Sequence, residues 1–144
     1  MYFVDREKLN GTLQFIEEQT RVFREIEKVD SRLKQAALER VCHTLLDAVL
    51  TAGNAMIDGF IMRDPGSYED IIDILTDEKV ITEKMGEQLK TLLPYQKLLV
   101  HDYLSVDHQK LLEDFNENLD ALIQFPDKIR IYLERELGGV TAFK

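Results

Sequence analysis

Apolar residues recur along most of this chain at alternating steps of three and four, the period of a helix and not of a strand. The first such stretch, from about Asp5 to Lys28, carries Leu9, Leu13, Ile16, Thr20 and Phe23 on one face. Glu7, Lys8, Glu17, Glu18, Arg21, Arg24 and Glu25 fill the solvated face between them. Asp30 and Ser31 then offer side-chain oxygens to cap a second helix, which runs to about Ile61. Its stripe is Leu38, Cys42, Leu45, Val49, Ala52, Met56 and Phe60, widened by Val41, Leu46, Leu50, Ile57 and Ile61. So wide a stripe predicts burial against more than one neighbour, within the chain or across a dimer. A run of small residues, Thr51-Ala52-Gly53-Asn54-Ala55, sits in mid-helix. Glycine there costs about 1 kcal/mol relative to alanine, which a close backbone approach would explain.

Arg63-Asp64-Pro65-Gly66 is a turn, and Ser67-Tyr68-Glu69-Asp70 is an N-cap with an acidic residue at the third helical position. A short helix follows on Tyr68, Ile71, Ile72 and Leu75. Asp77-Glu78-Lys79 turns the chain again toward Thr82, a cap for a helix carrying Met85, Leu89 and Leu92. Pro94 kinks or restarts that helix. Ser105 or Asp107 caps a last long helix whose stripe is Leu111, Phe115, Leu119, Leu122, Ile129, Leu133 and Leu137. That stripe passes through Pro126, so a kink is expected there. Gly138-Gly139 is a natural stop. The expectation is an all-α, up-and-down bundle of about five helices, one domain over residues 1–139, with a flexible tail at 140–144.

Composition agrees with one domain: 144 residues, 44% hydrophobic and 31% charged, with only seven Gly and three Pro. Eighteen Lys and Arg against 27 Asp and Glu leave a formal charge of −9. Such a surface repels phosphate backbones at long range, so a nucleic-acid partner needs a locally basic or neutral cleft. The lone Cys42 excludes an internal disulfide and reads as a small core residue. The opening residues lack the apolar stretch of a signal peptide. The most apolar region, Leu45 to Met62, is broken by Asp47, Asn54 and Asp58. These features predict a cytoplasmic protein with no membrane partner.

Three histidines are present: His43, His101 and His108. His43, beside Cys42 on the long helix, reads as structural. The spacing of His101, Asp102, Asp107 and His108 matches no helical ligand pair, so no metal site is expected. Glu113, Asp114, Glu117 and Asp120 read as a solvated face, and no cofactor motif stands out.

Three features stand in order along the chain: the Met1–Leu13 opening, the turn and cap Arg63-Asp64-Pro65-Gly66-Ser67-Tyr68-Glu69, and the segment Leu99-Val100-His101-Asp102-Tyr103. Together they resemble the HepT-like (DUF86) branch of the HEPN superfamily over nearly the whole chain. The resemblance implies a helical bundle that dimerises around a shared cleft and acts as a metal-independent endoribonuclease. Such proteins are toxins of two-gene toxin–antitoxin modules. Their signature is Arg, four to six residues, then His, with Tyr two positions after the His. The antitoxin is a small nucleotidyltransferase that attaches AMP to that Tyr. By this likeness His101 is the catalytic imidazole, and Tyr103 is a site residue and the AMP acceptor.

The motif Arg has no counterpart here. Its position is taken by Gln96, followed by Lys97, and Tyr95 and Pro94 fill the other permitted spacings. RNA cleavage without a metal uses the 2′-hydroxyl as nucleophile, a His to move protons and an Arg to steady charge on the phosphorus oxygens. Gln96 supplies a hydrogen bond without charge, and Lys97, a candidate RNA contact, points elsewhere on a helix. Five residues separate Gln96 from His101, about 140° around a helix, so the two share no face.

Two readings follow. One is a HepT-type ribonuclease weakened at Gln96. The other is a non-catalytic dimeric module that binds RNA, a nucleotide or a nucleotidyltransferase through the same cleft. In the second, His101 hydrogen-bonds at a helix end and Tyr103 is an interface aromatic.

Overall fold

In a computed structural model, which describes residues 4–137, the chain is all helical, with no strand among the described residues. Helix α1 (Arg6–Glu25) starts where the Asp5 carboxylate accepts from the Lys8 amide at 3.1 Å. Every residue of its expected stripe, from Leu9 to Phe23, is buried. It ends at Glu25, short of the expected Lys28, because Ile26 and Val29 leave the helix to pack on the core.

Helix α2 (Arg32–Gly59) is the central element, capped by Ser31, whose hydroxyl accepts from the Lys34 amide at 3.1 Å. Helices α1, α3, α5 and α6 all pack along it, which accounts for the width of its stripe within one chain. Gly53 marks the close approach: a Cβ there would sit 2.8 Å from Ile71 Cγ2 of α3. Ile61 does not belong to the buried stripe. It lies beyond the helix at φ 55°, exposed, while the Met62 amide reaches back to the Ile57 carbonyl and closes the helix end.

Helix α3 (Tyr68–Asp77) is capped by Ser67, and its entry turn is clamped by Asp70. Both Asp70 oxygens accept from the Arg63 guanidinium at 2.8 Å, and one also accepts from the Gly66 amide. Arg63 and that amide together pull the Asp70 carboxyl down to about 2. Helix α4 (Glu83–Leu92) begins at Thr82, and α5 (Pro94–His101) restarts one residue later, as proline at a first helical position dictates. A single 3₁₀ turn, Tyr103–Ser105, leads to α6 (His108–Glu117), capped by Asp107.

The last long helix is in fact two. The chain breaks at Asn118, between α6 and α7 (Leu119–Leu137), while the helix runs on through Pro126. Asn118 donates its side-chain amide to the Asp114 carbonyl at 2.8 Å, competing with the backbone for that acceptor. The described residues therefore hold seven α-helices where about five are read from the pattern. The Gly138-Gly139 stop and the 140–144 tail lie outside the described residues, as do the first three residues of the opening.

Candidate functional site

The segment from Tyr95 to His108 is tied to the bundle by side chains at both ends. The Tyr95 hydroxyl donates to the Asp114 carboxylate of α6, and Lys110 Nζ donates to the same oxygen at 2.7 Å. Lys110, then Tyr95, holds the Asp114 carboxyl below its ordinary range, whereas burial, then Asp114, pushes the Tyr95 phenol up. The Tyr95 ring packs on Phe115, which in turn packs on Phe23 of α1. At the other end His108 Nε2 lies 2.6 Å from a Glu39 oxygen of α2, and Arg32 approaches that oxygen at 3.5 Å.

Gln96 faces α2. Its side-chain amide donates to Asp47 Oδ1 at 3.1 Å. The other Asp47 oxygen is 3.0 Å from His43 Nε2, one helical turn earlier on α2. Glu39, His43 and Asp47 thus form a column at four-residue steps on one face of α2, turned toward α5 and α6. Asp47 also forms part of the wall of an open cleft of about 400 Å³ between α1 and α2.

His101 is the last residue of α5, and its ring is exposed. It makes no hydrogen bond or ion pair with the described residues. Lys97, one turn earlier, is exposed too and shares the outer face of α5 with His101. Tyr103 (62% exposed) and Leu104 (92% exposed) continue this surface into the 3₁₀ turn. The structure therefore brings Gln96 to Asp47, whose other oxygen meets His43, and places His101, Lys97 and Tyr103 on the outer surface.

The reading of sequence pattern passes over Asp47 and takes His43 as structural. A signal was present in the four-residue spacing of Glu39, His43 and Asp47, but nothing local links them to Gln96. The Cys42 thiol is fully buried and its pKa is driven well up by desolvation, which leaves it inert. Among the described residues no group of three His, Cys, Asp or Glu side chains is placed to hold a metal ion, and no helix is long and apolar enough to cross a membrane.

Residues 9–129 match the model of a family described as "Ribonuclease HepT-like". Over all 144 residues, and the whole of the relative, the chain is 52% identical to a Bacillus subtilis (strain 168) protein named "Putative RNase YutE". The YutE structure, described as that of a cytosolic protein of unknown function, superposes with a TM-score of 0.94 over 99% of this chain and 100% of that one. A tri-AMPylated Shewanella oneidensis HEPN toxin, solved in complex with an MNT antitoxin, is 16% identical. It superposes with a TM-score of 0.77 over 85% of this chain and 96% of that one, a likeness of fold.

Proposed function

Because the chain belongs to the HepT-like ribonuclease family, we propose that it is an endoribonuclease of that type, acting at a cleft between two protomers. The observation that carries this reading is the open position of His101 at the end of α5, with Lys97 on the same face and exposed Tyr103 beside it. An imidazole free of protein partners can reach a bound phosphodiester and move a proton. The ammonium of Lys97 offsets some of the chain's charge of −9 where a phosphate would approach.

Turnover is slow in this reading, because Gln96 donates a hydrogen bond but brings no charge, and it spends that bond on Asp47. The exposed Tyr103 hydroxyl is the acceptor for AMP from a nucleotidyltransferase antitoxin, in line with the AMPylated toxin of like fold. Gln96 also favours a second reading, a non-catalytic dimer that keeps the cleft for RNA, nucleotide or antitoxin.

Cleavage of several single-stranded RNAs, with His101→Ala beside the parent, separates the two. The expected result is slow cleavage by the parent and a loss of about 10²–10⁴-fold in the variant, the range for removing a proton-transfer group. Equal inertness of both, with an antitoxin complex still forming, leaves the binding module. Light scattering at micromolar concentration is expected to give twice the 16.8 kDa of the chain. A single-chain mass removes the shared cleft.

A further inference from the structure

Away from the α5 surface, a half-enclosed cavity of about 410 Å³ lies where the turn between α3 and α4 meets the C-terminal half of α7. The chain reverses tightly there. Lys79 stands just beyond the end of α3 at φ 63°, a position where glycine is the usual choice, and the Val80 amide reaches back to the Leu75 carbonyl at 2.9 Å. On α7, Lys128, Ile131 and Arg135 follow at steps of three and four and so share one face. Lys79, Lys128 and Arg135 all line this one cavity.

The three cations are weakly committed. Lys79 and Lys128 make no hydrogen bond or ion pair with the described residues, although Lys128 is half-buried. Arg135 lies 5.3 Å over the Tyr132 ring, and its one ion-pair neighbour among the described residues is Glu136, 3.6 Å from Nε. By contrast, Arg63, Lys90, Lys110 and Arg130 each hold a carboxylate at 2.9 Å or closer. Two carboxylates also line the cavity, Asp77 and Glu83, and Asp77 is drawn toward Arg63 at 3.8 Å. Thr82 and Glu83 open α4, whose positive end adds to the cations. The balance in the cavity is therefore positive, in a chain whose formal charge is −9. A half-buried ammonium with no counter-ion is unfavourable, and an entering anion relieves it.

We propose that this cavity binds a small phosphate-bearing molecule, with the phosphate among Lys79, Lys128 and Arg135. Ile131, 55% exposed, offers an apolar wall to the body which that phosphate carries. A cavity of this volume takes one small ligand. An RNA strand calls instead for a stripe of cations running past it, and here Glu78, Glu134 and Glu136 stand next to the cations in the chain. The site lies on α3, α4 and α7, and the proposal stands apart from the ribonuclease reading.

Calorimetric titration of the full chain at low salt, with ADP, inorganic pyrophosphate and adenosine, gives the test. ADP is expected to bind with a Kd below about 1 mM, and adenosine not to bind. Pyrophosphate weaker than ADP makes the ligand a nucleotide, and pyrophosphate equal to ADP makes it a free polyphosphate; either supports the site. Lys79→Gly suits φ 63° and is expected to keep the melting temperature or raise it, yet to weaken ADP about tenfold. Lys128→Met keeps an apolar stem of similar length and is expected to weaken ADP to the same degree. Lys8→Ala, in the cleft between α1 and α2, is the control and is expected to change nothing. The proposal is overturned if neither ADP nor pyrophosphate binds up to about 1 mM, or if Lys79→Gly and Lys128→Met bind as the parent does. It is also overturned if Lys8→Ala weakens binding as much as they do, since the anion would then follow overall charge. Binding of a single-stranded RNA alone, weakened by the same two variants, overturns it too and makes the cavity part of an RNA path.

Discussion

Replacing Gln96 with arginine is expected to raise RNA cleavage by roughly 10²–10³-fold, the loss that follows when a well-placed charge-stabilising donor is removed. The position is ready for the change. Gln96 is half-buried, in α5, and its amide already sits 3.1 Å from Asp47. A guanidinium there meets the same carboxylate with a charged donor, so that both sides of the bond are ionised and its planar fork can fix the geometry. With five donors, an arginine can spend one or two on Asp47 and turn the rest toward a phosphodiester.

His43 holds the second Asp47 oxygen, so the new side chain is anchored at its near edge and not swallowed by a two-pronged pair. Single-turnover rates on one RNA, with Gln96→Lys as a second variant, give the check. The lysine brings charge without the planar fork and is expected to recover less. Were Gln96→Arg to keep its fold and mass and yet gain nothing, charge would not develop where α5 meets α2, and the binding-module reading would be left.

A second large effect lies beneath the site. Phe115→Ala is expected to cost about 3–5 kcal/mol of stability, as for other large-to-small changes in a closed core. Phe115 has no exposed surface, and its ring lies 6.0 Å, centre to centre, from both Phe23 of α1 and Tyr95 of α5. Removing it takes away a wall shared by three helices, and the aromatic neighbours are too stiff to close the gap. In a chain of this size the melting temperature should fall by roughly 10–15 °C, and urea unfolding gives the free energy directly. The change also frees Tyr95, which positions α5 against Asp114, so RNA cleavage should fall in a variant that is still folded. A loss below about 1.5 kcal/mol would mean the cluster collapses around the gap and does not anchor α5.

The expected stripe of α1 is buried residue for residue, and that of α2 likewise except at Ile61. The caps at Ser31, Ser67, Thr82 and Asp107 each accept from the amide three residues on. These were legible because a helical face and a cap are decided within a few residues of chain. The break at Asn118 was hidden because one non-helical residue barely disturbs the apolar period, so Phe115 and Leu122 read as one stripe across it. At Pro126 the helix runs on, as the unbroken apolar stripe through it requires, with its ring buried in the core.

For the site, local pattern marked His101, Tyr103 and the gap at Gln96, since these belong to one short run of chain. It also required that Gln96 and His101 look in different directions, because five residues of helix turn through about 140°. What no spacing could supply was the destination of Gln96. Positions 43 and 47 lie on one helix and 96 on another, and only the packing of α5 against α2 decides which carboxylate an amide meets. Periodicity is a property of neighbours in the chain, so the sequence alone determined the helices, their buried faces and the missing charge. The union of Gln96, Asp47 and His43 depends on hydrogen bonds between distant residues, and the tertiary structure alone decided it.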